Sequence, residues 1–154
     1  MKHKRILAMI LAVASCLSLA VGASAANTTT RKATDFRDYD RTAWYAEAVS
    51  AAVDNGLLYG KSSTIIDPNG DMTRAEMAAI INRSFGCYVK ADISKYKDVS
   101  KDKWYFEDVA MAVQTGTYNG RSNTAMAPDA PITRQEAMTV VARALELDYD
   151  TYAK

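Results

Sequence analysis

The strongest constraint on this chain is an internal repeat with a period of 60 residues. Trp44-Tyr45 returns as Trp104-Tyr105. Glu47, Val49, Ala52, Val53 and Gly56 return as Glu107, Val109, Ala112, Val113 and Gly116. Gly60 returns as Gly120, Pro68 as Pro128, Thr73-Arg74-x-Glu76 as Thr133-Arg134-x-Glu136, and Arg83 as Arg143. Residues 36–85 align on 96–145 without a gap and agree at about 16 of about 50 positions, far above chance. A period this long marks a supersecondary unit that buries its apolar face against neighbouring copies. The expected organisation is a leader (1–25), a linker (26–35), a first repeat (36–85), a connector (86–95), a second repeat (96–145) and a tail (146–154). Tyr96 opens the second copy thirteen residues after Arg83. The same step from Arg143 passes the last residue, so the tail reads as the start of a connector to a third copy.

Each copy reads as helix, loop, helix, which makes the chain mainly α. Thr42 and Asp102 occupy equivalent positions, and both residue types cap helix N-termini. Tyr45, Val49, Ala52 and Val53 follow at helical spacing, and Gly56 and Gly116 supply left-handed stops. The loop has room for one short strand at Thr64-Ile65-Ile66. Thr73 with Glu76, and Thr133 with Glu136, then form capping boxes, a structural role. The second helix is expected to bury Met77, Ile80, Ile81 and Phe85, and its copy Ala137, Val140, Val141 and Leu145.

Lys2, His3, Lys4 and Arg5 precede an apolar run from Ile6 to Leu19 and the small-residue site Ala23-Ser24-Ala25. This is the pattern of a secretory signal peptide cleaved after Ala25. An uncleaved membrane anchor is the rival, because the apolar run approaches the length that spans a bilayer. Lipidation at Cys16 is a third reading, set against by the apolar Leu17 to Val21 that follow it. Lys2, Lys4 and Arg5 are three of the 19 basic residues. The chain after the leader therefore carries 16 bases against 18 acids, about −2 net, which argues against nucleic-acid binding. Cys87 is then the only cysteine and reads as a small apolar filler. The only histidine is His3, so the exported chain has no histidine ligand or base, and neither a metal nor a cofactor is implied.

The motifs resemble those of the S-layer homology (SLH) domain of bacterial surface proteins. The unit of that family opens with aromatic-x-Asp, here Phe36-Arg37-Asp38 and Tyr96-Lys97-Asp98. It continues with Trp-Tyr and an alanine-valine helix, Gly-x-x-x-Gly (Gly56 to Gly60, Gly116 to Gly120), a proline loop, and Thr-Arg-Ala-Glu (Thr73 to Glu76, Thr133 to Glu136). The second copy departs in carrying Gln135 for the alanine and Thr117-Tyr118-Asn119 where the first has Leu57-Leu58-Tyr59. The resemblance implies three such units around a central helical bundle, of which two make a partial pseudo-threefold arrangement. It also implies noncovalent anchoring of an exported protein at the cell wall, through an acidic, pyruvylated secondary cell-wall polysaccharide held in grooves between units. Direct peptidoglycan binding, and a structural module that pairs with further SLH units, are the alternatives.

On that resemblance the polysaccharide-binding candidates are Trp44, Gly60, Lys61, Arg74, Trp104, Gly120, Arg121 and Arg134. Arg74 and Arg134 suit a carboxylate near a helix N-terminus. Lys61 and Arg121 keep a cation after the repeat glycine, and Gly60 and Gly120 admit close backbone approach. Each tryptophan either stacks on a sugar face or fills the core. Arg83 and Arg143 read as cations suited to the last turn of a helix. The first copy, closer to the family pattern, is expected to hold the better site. A calcium loop at Asp67-Pro68-Asn69-Gly70-Asp71 is disfavoured, because Ala127-Pro128-Asp129-Ala130-Pro131 keeps no such ligand set. Catalysis is not expected, because Glu76 and Glu136 are explained as caps, and Glu47 and Glu107 as helix-surface residues.

Overall fold

The computed structural model describes residues 31–146; the expected leader with Cys16 and most of the tail lie outside them. Among the described residues a 3-10 turn (Ala33–Asp35) precedes four helices: α1 (Ala46–Asp54), α2 (Arg74–Phe85), α3 (Phe106–Gln114) and α4 (Arg134–Ala144). There is no strand among them, only an isolated antiparallel bridge between Thr73 and Pro131, so the fold is mainly α. Thr64–Ile66 forms no strand either. The Thr64 carbonyl accepts from the Arg37 amide at 2.9 Å and the Ile65 carbonyl from the Lys61 amide at 2.8 Å, which curls the segment into a compact loop.

Helix starts differ between the two kinds of helix. Thr42 and Asp102 do not cap α1 and α3, which begin at Ala46 and Phe106 after Tyr45 and Tyr105. Thr42 instead donates its hydroxyl and its amide to the Asp40 carboxylate, and Asp102 accepts from the Ser100 hydroxyl. Such local side-chain bonds compete with helix formation, and they turn the chain before the helix begins. At α2 and α4 the capping boxes do close. The Thr73 and Thr133 hydroxyls each accept from the N3 amide at 3.2 Å. The Glu76 and Glu136 carboxylates accept from the threonine amides at 2.7 and 2.9 Å. Gly56 and Gly116 sit in the left-handed region, with φ of 67° and 74°, just past α1 and α3.

The aromatic-x-Asp motif ties each loop to its own repeat. Asp38 accepts from the Ile66 and Asp67 amides at 2.9 and 2.7 Å, and Asp98 from the Met126 and Ala127 amides at 2.9 and 2.6 Å. Asp67 and Ala127 share a left-handed backbone, with φ of 58° and 54°. Alanine adopts that shape with no carboxylate, so the aspartate anchor sets the turn and no cation is needed to explain it. The Phe36 and Tyr96 rings lie over Gly60 and Gly120. A Cβ at either glycine would come within 2.5 Å of the ring carbon, so this close approach is between parts of one repeat.

The two repeats share a core in which α2 changes sides. Its buried residues are Arg74, Ala75, Ala78, Ala79, Ile81 and Asn82, whereas of the expected stripe only Ile81 is buried and Phe85 is exposed. Small side chains let α2 lie close to α3, and that contact outweighs burying the largest apolar groups. Ala75, Ala78 and Ile81 join one cluster with Ile93, Tyr96, Val99, Tyr105, Val109, Ala110, Ala112, Tyr118, Met126 and Val140, nearly all from the second repeat and its connector. Asn82 Nδ2 donates to the Asp108 carbonyl at 2.8 Å. The Ile132, Arg74 and Ala75 amides donate to the carbonyls of Met72, Ala130 and Pro128 at 3.0 Å or less. The helix that closes the first repeat in sequence is thus packed in the core of the second.

The first repeat keeps a smaller cluster of Ala33, Phe36, Val53 and Ile66. The copies are therefore unequal. Tyr105, Val109, Ala110 and Ala112 are buried where Tyr45, Val49, Ser50 and Ala52 are half-buried. On α4 only Val140 is buried, and Leu145, expected in the stripe, is exposed.

This inequality predicts different costs at equivalent positions. Ala112→Leu, at a site with no accessible surface, should lower unfolding free energy by about 1–3 kcal/mol in urea denaturation. Ala52→Leu, at a half-buried site, should change it by less than about 0.5 kcal/mol.

Candidate functional site

A cleft of about 270 Å³ opens where α2 meets the second repeat, lined by Arg74, Tyr118, Gly120, Arg121, Glu136 and Arg143 among others. Only Arg74 comes from the first repeat. It enters at the N-terminus of α2, just past the capping box, and is 4% exposed. Its Nε donates to the Met126 carbonyl at 3.0 Å, one Nη to the Asn119 carbonyl at 3.0 Å, and the other to Glu136 Oε1 at 2.8 Å. The guanidinium also lies 5.2 Å from the centroid of the Tyr118 ring. Its three nitrogens are all engaged within the chain, so Arg74 forms a wall of the cleft and the tie between repeats.

Glu136 is the shared acceptor. Arg121, placed by the loop after Gly120, donates Nε to Oε1 at 3.0 Å and Nη2 to Oε2 at 3.1 Å, and Nη2 also reaches the Pro131 carbonyl at 3.2 Å. The Arg121 hydrogen bonds hold the Glu136 carboxyl down at about 2, with help from the Thr133 amide and the Arg74 charge and against the opposing effect of burial. Burial pushes the Tyr118 hydroxyl far above its ordinary range. That hydroxyl has no hydrogen-bond partner among the described residues. Three arginines and one carboxylate line the cleft, which leaves it positive, with Gln135 and Thr139 as neutral hydrogen-bonding groups.

The first repeat arranges the same positions differently. Lys61 donates to Glu76 and to the Asp71 carbonyl, at 2.8 and 2.9 Å. Burial would raise the Glu76 carboxyl, but the Lys61 and Thr73 hydrogen bonds outweigh it and the group ends lower than usual. Arg83 donates to the Leu57 carbonyl at 3.0 Å and stacks 4.1 Å from the Tyr59 ring centroid. Asn119 stands where Tyr59 would be in the second repeat. Arg143 loses that platform and is exposed, with no hydrogen-bond or ion-pair partner among the described residues. The cleft described above is built at the second repeat, although the family pattern is fuller in the first.

The other candidates are dispersed. Arg134 is exposed at the start of α4 and outside the cleft, also without a side-chain partner among the described residues. Trp44 and Trp104 are 95% and 60% exposed, so neither fills the core; each instead meets the following tyrosine edge-on, at 5.7 and 5.4 Å between centroids. The turns before α1 and α3 carry them outward. Sequence reasoning missed Arg143, Tyr118, Gln135 and Thr139 as cleft residues. The signal for Arg143 was the Tyr59-to-Asn119 difference between copies.

The family model described as S-layer homology domain matches residues 35–78 and 95–138. The chain is 33% identical over 75% of its length to the Surface-layer 125 kDa protein of Lysinibacillus sphaericus, covering 10% of that protein. It is 27% identical over 93% of its length to an Endoglucanase of Bacillus sp. (strain KSM-635), covering 15% of it. It is 23% identical over 73% of its length to the S-layer protein sap of Bacillus anthracis, covering 14% of it. The chain thus spans a small part of each relative.

Two outcomes follow from the geometry. Arg74→Ala leaves buried acceptors unpaired and should cost about 3 kcal/mol in urea denaturation, whereas Arg134→Ala should cost less than about 0.5 kcal/mol. The Glu136 carboxyl is depressed on folding, so its stabilisation is complete above the ordinary value of 4.5 and is lost as pH falls toward 2. The denaturation midpoint should fall across that window, and Glu136→Gln should flatten the fall.

Proposed function

The chain belongs to the S-layer homology family, and on that premise we propose that its repeats hold an exported protein noncovalently on the cell wall by binding an acidic, pyruvylated secondary cell-wall polysaccharide in the junction cleft. It is a secreted, cell-surface-attached protein, and anchoring at that surface is what the repeats do. We read them as a non-catalytic anchoring module. The endoglucanase relative shares only a small part of its length with this chain, and no step of its chemistry is assigned to these residues.

The observation that carries the polysaccharide reading is the positive, recessed cleft. A pyruvate ketal adds a carboxylate to a sugar ring. Arg143, with no competing partner among the described residues, is the group to pair with it bidentately, and Arg121 and the Arg74 wall add positive potential. Gln135 and Thr139 suit sugar hydroxyls. The exposed Trp44 and Trp104 lie outside the cleft and serve as stacking platforms for further sugars of an extended polymer. Lys61 and Arg134 contribute positive charge outside the cleft.

The test is co-sedimentation of residues 26–154 with purified sacculi, intact or stripped of polysaccharide by acid. Binding to intact sacculi should disappear on stripping and weaken by about tenfold or more in an Arg121→Ala, Arg143→Ala variant whose circular dichroism is unchanged. Binding that survives stripping points to peptidoglycan and overturns the polysaccharide reading.

A further inference from the structure

The junction between the two repeats uses one face of α2 and one receiving surface of the second repeat, and the chain carries a counterpart of each, on α4 and in the first repeat, that is not paired in this way among the described residues. On α2 the received positions are Arg74, Ala75, Ala78 and Ile81; on α4 they are Arg134, Gln135, Met138 and Val141. Arg134, Gln135 and Met138 are exposed, Met138 by 61%. The Arg74 and Ala75 amides have the Ala130 and Pro128 carbonyls as acceptors. The Arg134 and Gln135 amides have no backbone acceptor among the described residues.

The receiving surface is duplicated as well. Arg74 is taken by the Asn119 and Met126 carbonyls and by Glu136. The equivalent groups in the first repeat are the Tyr59 and Ile66 carbonyls and Glu76. Tyr59 O already accepts from the exposed Arg31 guanidinium at 3.1 Å, so this carbonyl is presented to such a donor. Glu76 has one cation, Lys61, among the described residues, where Glu136 holds two. The size differences compensate. The donor face grows from Ala75 and Ala78 to Gln135 and Met138, while the receiving positions shrink from Tyr118 and Met126 to the half-buried Leu58 and to Ile66, whose side chain already packs in the first repeat's own cluster. Ser50, half-buried on α1, takes the place of the buried Ala110.

We propose that α4 of one chain docks on the first repeat of a second copy, with Arg134 reaching the Tyr59 and Ile66 carbonyls and Glu76 as Arg74 reaches its own acceptors. The contact is heterologous, so it grows rings or open chains instead of a two-fold pair. It would also set Arg134 beside Lys61 and Glu76 and so wall a second basic cleft. The proposal stands apart from the identity of the glycan.

Sedimentation velocity of residues 26–154 across a wide concentration range tests it. The parent chain should form assemblies that grow with concentration. Arg134→Glu with Met138→Glu on α4, or Ser50→Arg on the first repeat, should each leave a monomer with unchanged circular dichroism. An equimolar mixture of the two variants retains one intact interface and should stop at a dimer. A monomeric parent overturns the proposal and leaves the α4 face to other residues of the chain or to a further repeat. Association that persists in both variants, or a mixture that stays monomeric, also overturns it.

Discussion

The structure turns on one buried guanidinium. Arg74 leaves the first repeat, crosses into the second, and meets two carbonyls and a carboxylate there. A cation this deeply buried is tolerated because every nitrogen has an acceptor. Once it is lodged, the first turn of α2 is fixed against the 128–132 loop, and the alanine face of the helix settles on α3. The cleft, the unequal burial of the two copies and the exposed face of α4 all follow from that placement.

The same residue types do different work in the two repeats because their neighbours differ. Glu76 and Glu136 both cap a helix, yet Glu136 also joins two arginines and so carries the larger shift. Arg83 and Arg143 are equivalent in sequence, but Tyr59 occupies the first and Asn119 releases the second. Sequence symmetry supplies two similar units. Their order along the chain makes one a donor of a helix and the other a receiver.

Much of the local structure was legible in the residues. The Thr-x-x-Glu boxes announced the starts of α2 and α4, and Gly56 and Gly116 the stops of α1 and α3, because each rests on hydrogen bonds or φ values internal to a few residues. Thr42 and Asp102 misled for the same local reason, since neighbouring Asp40 and Ser100 bound them first. The buried face of α2 was not legible from residue size, because a close helix contact selects alanine and admits arginine and asparagine wherever partners exist across it.

What the sequence determined by itself was the period, the helix-loop-helix unit, the mainly α class and the family, since all of these are written in spacing and in short-range bonding. What only the tertiary structure decided was which repeat each helix packs in, that Arg74 is spent on the junction, that the tryptophans face outward, and that Arg143 lines the cleft. The junction depends on contacts across 45 to 62 residues of chain, and the setting of Arg143 on the exchange of Tyr59 for Asn119. No local pattern encodes them, because the same motif in each copy meets a different neighbour.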